Sequence, residues 1–306
     1  MRIFITGVSG LLGINAALQL QERHEVSGVY CSHPVKVEGA ELRRLDLTDQ
    51  AAVLDLVSEI RPQVILHTAG LTNVDACEVD PAQAELLNVR VSEHVARAAA
   101  AAGAALVHIS TDHLSDGTKA LTAESVQASP LNEYARTKWE AERIVSQVCP
   151  GALIIRTNFF GWGTPAKASF SDWILEGLRS GKSLPLFVDV HVTPVLINDL
   201  VAFIERLLER RVQGVFNVAG SERVSKYEFG VQLARAFEIP AGNLRPLSVH
   251  DVPLRACRPQ DMSLNCDRVS ALLGQRMPTL GESLARLRAL GEQGWPQALR
   301  RSWGQP

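Results

Sequence analysis

The sequence predicts an α/β protein built on a doubly wound parallel sheet, and two observations carry that expectation. Short β-rich runs alternate with helical patterns through the first 156 residues, the order that feeds a parallel sheet covered on both faces. A glycine-rich turn follows the first strand at once. The right-handed preference of crossover connections leaves few topologies, and the doubly wound sheet is the natural one.

The elements follow in order. RIFIT (2–6) reads as a buried strand and residues 11–21 as a helix. EVSGVY (25–30) is a second strand, a third short strand ends near Leu45, and a helix covers 51–60. QVILHT (63–68) precedes one long helix from about 81 to 102, then the strand ALVHIS (105–110), a helix over 132–148 and the strand ALIIR (152–156). Beyond Arg156 the rhythm loosens. Helical patterns fall at 169–180, 197–210, 226–237 and 280–292, with strand candidates at 183–188, 214–218 and 244–248. The expected division is a dinucleotide-binding portion over 1–160 and a smaller, mixed α/β, substrate-binding portion over 161–306. Segments within 183–220 are free to return to the main sheet.

Composition narrows the function. In a chain of 306 residues, 46% are hydrophobic and 21% charged, which argues for a packed globular protein rather than a disordered one. The net charge of −2 lacks the basic surplus of a nucleic-acid binder. No run of apolar residues is long enough for a membrane span. The five cysteines are scattered and include no CxxC, so neither a disulfide framework nor a zinc site is expected. No His, Glu and Asp share metal-ligand spacing, and no GxSxG is present. A reducing, cytoplasmic setting is expected.

TGVSGLLG places Gly7, Gly10 and Gly13 straight after the first strand. A pyrophosphate needs a tight turn, close backbone approach and the free N–H groups of a helix start. This strand–glycine–helix context supplies all three, with Ser9 and Leu11 in the turn. A carboxylate at the end of the second strand would pair with ribose hydroxyls and repel an added phosphate. The residues there are Tyr30, Cys31, Ser32 and His33, with Lys36 nearby. Ser32 and His33 can hydrogen-bond a 2′-phosphate, so NADP(H) is preferred and NAD(H) remains open.

Tyr134 and Lys138 are four residues apart on an expected helix, which sets both side chains on one face. Carbonyl reduction leaves an oxyanion that must be protonated as hydride arrives. A phenol, with a pKa of about 10, is a poor acid at neutral pH unless a nearby ammonium favours its phenolate. Ser110, Thr111 and Asp112 end the preceding strand, where a hydroxyl can hold the substrate oxygen. Asp112 could equally brace loop backbone. His67 and His108 lie inside strands and read as packed and hydrogen-bonded.

These motifs resemble the short-chain dehydrogenase/reductase superfamily in its extended form. Asp46-Leu47-Thr48 looks like its adenine-contacting segment, and Thr68-Ala69-Gly70 like its cofactor-lining turn. Asn88 stands where a helix Asn is common. HISTDHLSDGTKALTAESVQASPLNEYARTK and VILHTAGLTNVDACEVDP, with Thr72, Val74, Asp75 and Glu78, are similar to the dTDP-4-dehydrorhamnose reductase family. Arg258-Pro259 with Ser263-Leu264 resembles its RPxxSxL stretch. The resemblance implies reduction of a 4-keto-6-deoxy nucleotide sugar, Thr111 orienting the ketone, Tyr134 donating the proton and Lys138 tuning the tyrosine. It also implies cofactor contacts at Asp46, Leu47, Ala69, Gly70 and Thr72, and a homodimer is compatible with it.

On the sugar side the candidates are Thr72, Asp112, His113, Phe160, Thr193 and Arg258. Phe159, Phe160 and Trp162 can stack on a base or fill the core, and Asp199 reads as a helix cap. The chain departs from the family where Ser115 replaces an aromatic residue and where RTNFFGWG replaces an RTSWVYG-like run. Two other functions compete. One is a cofactor-binding regulatory subunit like that of methionine adenosyltransferase, a branch that keeps the fold. The other is a nucleotide-sugar epimerase or dehydratase, which ranks lower because no Glu follows Asp112.

Overall fold

The computed structural model describes residues 1–303. Its main sheet has seven strands, all parallel, in the order β3-β2-β1-β4-β5-β6-β11. The first six are β1 (Arg2–Thr6), β2 (Glu25–Tyr30), β3 (Glu41–Arg44), β4 (Val64–His67), β5 (Ala105–Ile109) and β6 (Leu153–Arg156). The helices between them are α1 (Leu11–Leu20), α2 (Gln50–Ile60), α3 (Val74–Val79), α4 (Pro81–Ala84), α5 (Val91–Ala102) and α6 (Glu133–Val148). Further on come β7 (Phe159–Phe160), α7 (Phe170–Ser180), β8 (Leu184–Phe187), β9 (His191–Val192), β10 (Val195–Leu196), α8 (Ile197–Glu209) and β11 (Gly214–Asn217). The chain continues through β12 (Val224–Ser225), α9 (Lys226–Ala236), β13 (Leu244–Leu247), α10 (Asp267–Leu273), α11 (Leu280–Glu292) and α12 (Trp295–Ser302).

Alternation within the strands builds two cores. Ile3, Ile5, Val64, Leu66, Val107, Leu153 and Ile155 face one layer, which holds α1 and α8. Phe4, Ile65, Leu106 and Ile154 face the other, against α2, α5 and α6. Burial on both faces explains why β4 and β6 read as unbroken apolar runs rather than alternating ones. β11 adds to the sheet beside β6, so part of the later chain completes the layer that the first 156 residues begin. The strand at 184–187 does not join it; β8 pairs with β13.

Several details differ from the expectation. The long helix over 81–102 is broken into α4, a π-helical stretch Glu85–Arg90, and α5. Periodicity cannot show an extra residue in one turn, and such bulges concentrate at functional sites. Asp199 does not cap α8; its carboxylate pairs with Arg286 of α11. No helix among the described residues is long and apolar enough to cross a membrane.

The buried polar residues have a cost that shows up with pH. His67 is held between Thr6 (2.7 Å) and Ser92 (3.1 Å), and burial pushes its imidazole down to about 3. His108 packs 5.3 Å from it, centroid to centroid, and burial also drives it well below its ordinary value. Contrary to expectation, neither ring nitrogen of His108 has a hydrogen-bond partner. Both histidines are neutral when folded yet bind protons when unfolded, so stability is present above an unfolded pKa near 6.5 and is lost as pH falls below it. His113, also depressed to about 3, adds a third such group, while Asp112, raised by burial to about 6, offsets one. The net expectation is a loss of about 2–3 kcal/mol between pH 6 and 5, at about 1.4 kcal/mol per group per pH unit. Urea unfolding across that interval measures it, and a flat midpoint would contradict it.

Candidate active site

Strand order reverses between β1 and β4, so the connections leaving them diverge and open a cleft at the carboxyl ends of the strands. The cleft holds about 670 Å³. At one end lie Ser9, Gly10, Leu11, Thr68, Ala69, Gly70 and Thr72; at the other, Thr111, Asp112, His113, Tyr134 and Lys138. A side pocket of about 200 Å³ adjoins the glycine turn and takes in Gly7, Ser32 and Leu47.

The glycines are required by contact. Gly7 has φ +70°, and a Cβ on it would sit 2.8 Å from Ala69 backbone. A Cβ on Gly13 would sit 2.4 Å from the Gly7 carbonyl, so Gly13 lets α1 pack onto the turn rather than lining the cleft itself. α1 starts at Gly10 with no side-chain cap and no acidic residue in its first turn. Its leading N–H groups and positive dipole end therefore face the cleft free for an anion. This cradle fits a dinucleotide pyrophosphate.

The π-helical stretch has a local purpose. It carries Asn88, whose Oδ1 accepts from Leu71 N (2.8 Å) and whose Nδ2 donates to Leu71 O (3.1 Å) and Thr137 Oγ1 (3.0 Å). Asn88 thus ties the Thr72 loop to α6 one residue before Lys138. α6 itself begins with Asn132, whose Oδ1 accepts from Ala135 N at 2.9 Å.

Tyr134, Lys138 and Glu142 form one buried stripe along α6. Lys138 Nζ donates to the Ile109 carbonyl at 2.7 Å. Glu142 accepts from Arg156 at 2.7 and 3.0 Å and from Ser110 Oγ at 2.5 Å. The helix is therefore fastened to the ends of both β5 and β6. Thr111 lies close to the Tyr134 phenol, and the His113 ring meets the Tyr134 ring edge-on at 5.4 Å. Burial pushes the Tyr134 phenol up and the Lys138 ammonium down to about 8. The expected depression of the phenol by Lys138 is absent: burial, which disfavours the phenolate, dominates and keeps Tyr134 a neutral proton donor.

Several sequence candidates fall elsewhere. Phe160 is buried against Phe229 at 5.0 Å; its neighbour Phe159 lines the cleft instead. Thr193 is fully buried and accepts from Leu264 N at 3.0 Å. Arg258 pairs with Asp75 at 2.9 Å. Asp46 is exposed and holds Thr48 N and Oγ1 at 2.9 and 2.8 Å. Ser115 does not line the cleft; its hydroxyl donates to Asp261 O at 3.3 Å. His33 lines the cleft beside Trp303, ring centroids 5.7 Å apart.

Sequence reasoning missed Thr157, Asn158, Lys167, Phe170 and Trp303, all of which line the cleft. It also missed Arg44, whose Nε donates to Cys31 O at 3.1 Å and brings a guanidinium to the Ser32 turn. None of them sits in a spaced motif; a basic residue ending β3 was the one available signal.

The strand order, the glycine cradle and the Thr/Tyr/Lys wall together define an extended short-chain dehydrogenase/reductase. The pattern of the RmlD substrate binding domain family matches residues 1–290, and the chain belongs to that family. Methionine adenosyltransferase 2 subunit beta of Xenopus laevis is 34% identical over 289 residues, covering 90% of this chain and 84% of that one. A solved hypothetical dTDP-4-dehydrorhamnose reductase from Sulfolobus tokodaii is 34% identical with a TM-score of 0.81, covering 91% of this chain and 97% of that one. The dTDP-4-dehydrorhamnose reductase of Bacillus anthracis, solved in complex with NADP, is 26% identical with a TM-score of 0.81, covering 94% and 98%.

Proposed function

We propose that this protein is an NADPH-dependent reductase of a 4-keto-deoxy sugar carried on a nucleotide. The observation that carries the reading is the placement of Thr111, Tyr134 and Lys138 on one wall of the cleft whose other end is the glycine cradle. A bound nicotinamide supplies the hydride. The chain's own groups do the rest. Tyr134, kept neutral by burial, delivers its phenolic proton to the carbonyl oxygen as charge develops there. Thr111 gives that oxygen a second donor. Lys138, buried beside the Ile109 carbonyl, holds a positive charge near the phenol and is placed for the ribose hydroxyls of the cofactor. The preference for NADPH over NADH rests on the absence of a carboxylate at Ser32–His33 and on the Arg44 guanidinium beside that turn.

A second reading is favoured by the 34% identity to a methionine adenosyltransferase subunit. In that reading the same fold binds a dinucleotide and serves a partner enzyme. One assay separates the two. Purified protein is given NADPH or NADH with a panel of 4-keto-6-deoxy nucleotide sugars, and absorbance at the nicotinamide band is followed. Turnover with at least one sugar supports the reductase. No turnover, with a measurable change in the rate of a methionine adenosyltransferase catalytic subunit on mixing, supports the other.

A further inference from the structure

Asp112 is buried at the junction of the cleft wall and the later chain, and the transfer steps above make no use of it. Its two oxygens have different partners. Oδ2 accepts from Asn158 Nδ2 at 2.7 Å, and Oδ1 faces Thr111 Oγ1 at 3.2 Å. The Thr111 hydroxyl also accepts from His113 N at 3.3 Å and lies close to the Tyr134 phenol.

A hydroxyl has one proton and two lone pairs. When Asp112 is a carboxylate, the Thr111 proton goes to Oδ1. One lone pair takes the His113 N–H. The Thr111 donor the carbonyl needs is then turned away from it. When Asp112 carries a proton on Oδ1, that O–H fills the second lone pair of Thr111. The Thr111 proton must then point outward.

We propose, resting on the reductase reading above, that Asp112 is a positioning residue whose protonation turns the Thr111 hydroxyl toward the substrate oxygen. No bond is made or broken beyond this proton, which Asp112 takes from water as the free enzyme. The groups facing Asp112 are few: His113 on its own strand end, with Nε2 at 3.9 Å from Oδ1, Tyr134 of α6, Asn158 after β6, and Lys226 of α9. Lys226 favours the carboxylate, and burial outweighs it, placing the group at about 6. His113 is neutral throughout the working range.

The variant Asp112→Asn makes the test sharp. With Asn158 donating as it does to the Oδ2 position, the amide oxygen sits there and the amide NH2 faces Thr111. So arranged, the variant reproduces the donor state of the protonated acid. For NADPH-dependent reduction, the kcat/KM of the unsubstituted enzyme, which reports the free protein, is expected to fall about tenfold or more between pH 5.5 and 7.5. Asp112→Asn is expected to stay level across that range and to exceed the unsubstituted enzyme at its upper end. Thr111→Val, slow throughout, is expected to lack the same limb. The proposal is overturned by an equal fall in Asp112→Asn, by a level profile in the unsubstituted enzyme, or by survival of the limb in Thr111→Val. That last comparison stands even if Asp112→Asn does not fold. Absence of turnover in the unsubstituted enzyme with every keto sugar overturns the reductase reading itself, a separate result.

Discussion

Tyr134→Phe is expected to lower kcat for carbonyl reduction about 10²–10⁴-fold, the usual worth of a positioned proton donor. The reason is local. The phenol lies close to the strand-end hydroxyl of Thr111 on the cleft wall, and burial keeps its proton on. Phenylalanine retains the ring that packs edge-on against His113 and the small cluster with Cys77 and Ala84. Folding and dinucleotide affinity should therefore change little. The measurement is kcat at saturating NADPH and sugar, beside a fluorescence titration with NADPH. A loss smaller than about fivefold would remove Tyr134 from the chemistry. A large loss together with lost NADPH binding would mean that the hydroxyl serves cofactor binding rather than proton transfer.

Glu142→Ala should give the largest loss of stability among single changes near the cleft. Glu142 is the only carboxylate in contact with the buried Arg156 among the described residues, and it also holds Ser110. Removing it leaves a guanidinium uncompensated inside the protein, which typically costs about 3–5 kcal/mol. For a chain of this size that corresponds to a fall in Tm of roughly 6–15 °C. The double change Glu142→Leu with Arg156→Leu should recover much of the loss, because an apolar pair of similar volume is often neutral. Calorimetry on the three proteins checks both statements. If the single variant melts within about 2 °C of the original, the pair is not what fastens α6 to β5 and β6.

Much of this molecule could be read along the chain. The strands β1, β4, β5 and β6 are legible as apolar runs, because a parallel sheet covered on both sides leaves no polar face to blur them, whereas the edge strand β3, ELRR, has no buried residue. Asn132 and Ser169 announce α6 and α7 as caps, each accepting from a backbone N–H three residues on. Gly7, Gly10, Gly13, Tyr134 and Lys138 could be singled out because each belongs to a spacing that local backbone geometry enforces, and Thr111 because it ends a strand in a stretch resembling a known family. Asn158, Lys167 and Trp303 could not, since nothing adjacent to them in sequence marks them. They reach the cleft only because β6, α7 and α12 pack where they do. Choosing Phe160 over Phe159 shows the difficulty. In a two-residue strand, which ring faces the core depends on pairing with Val195 and Leu196.

The sequence by itself determined the alternating elements, the phosphate cradle and the Tyr134/Lys138 face, all set by contacts between residues a few positions apart. Tertiary structure alone decided the charge state of the site. Burial raises the Tyr134 phenol and Asp112 and lowers Lys138. That outcome depends on how much water the fold excludes and on partners such as Asn158 and Lys226, 46 and 114 residues away from Asp112 in the chain. Desolvation is a property of the packed assembly, so no local spacing encodes it.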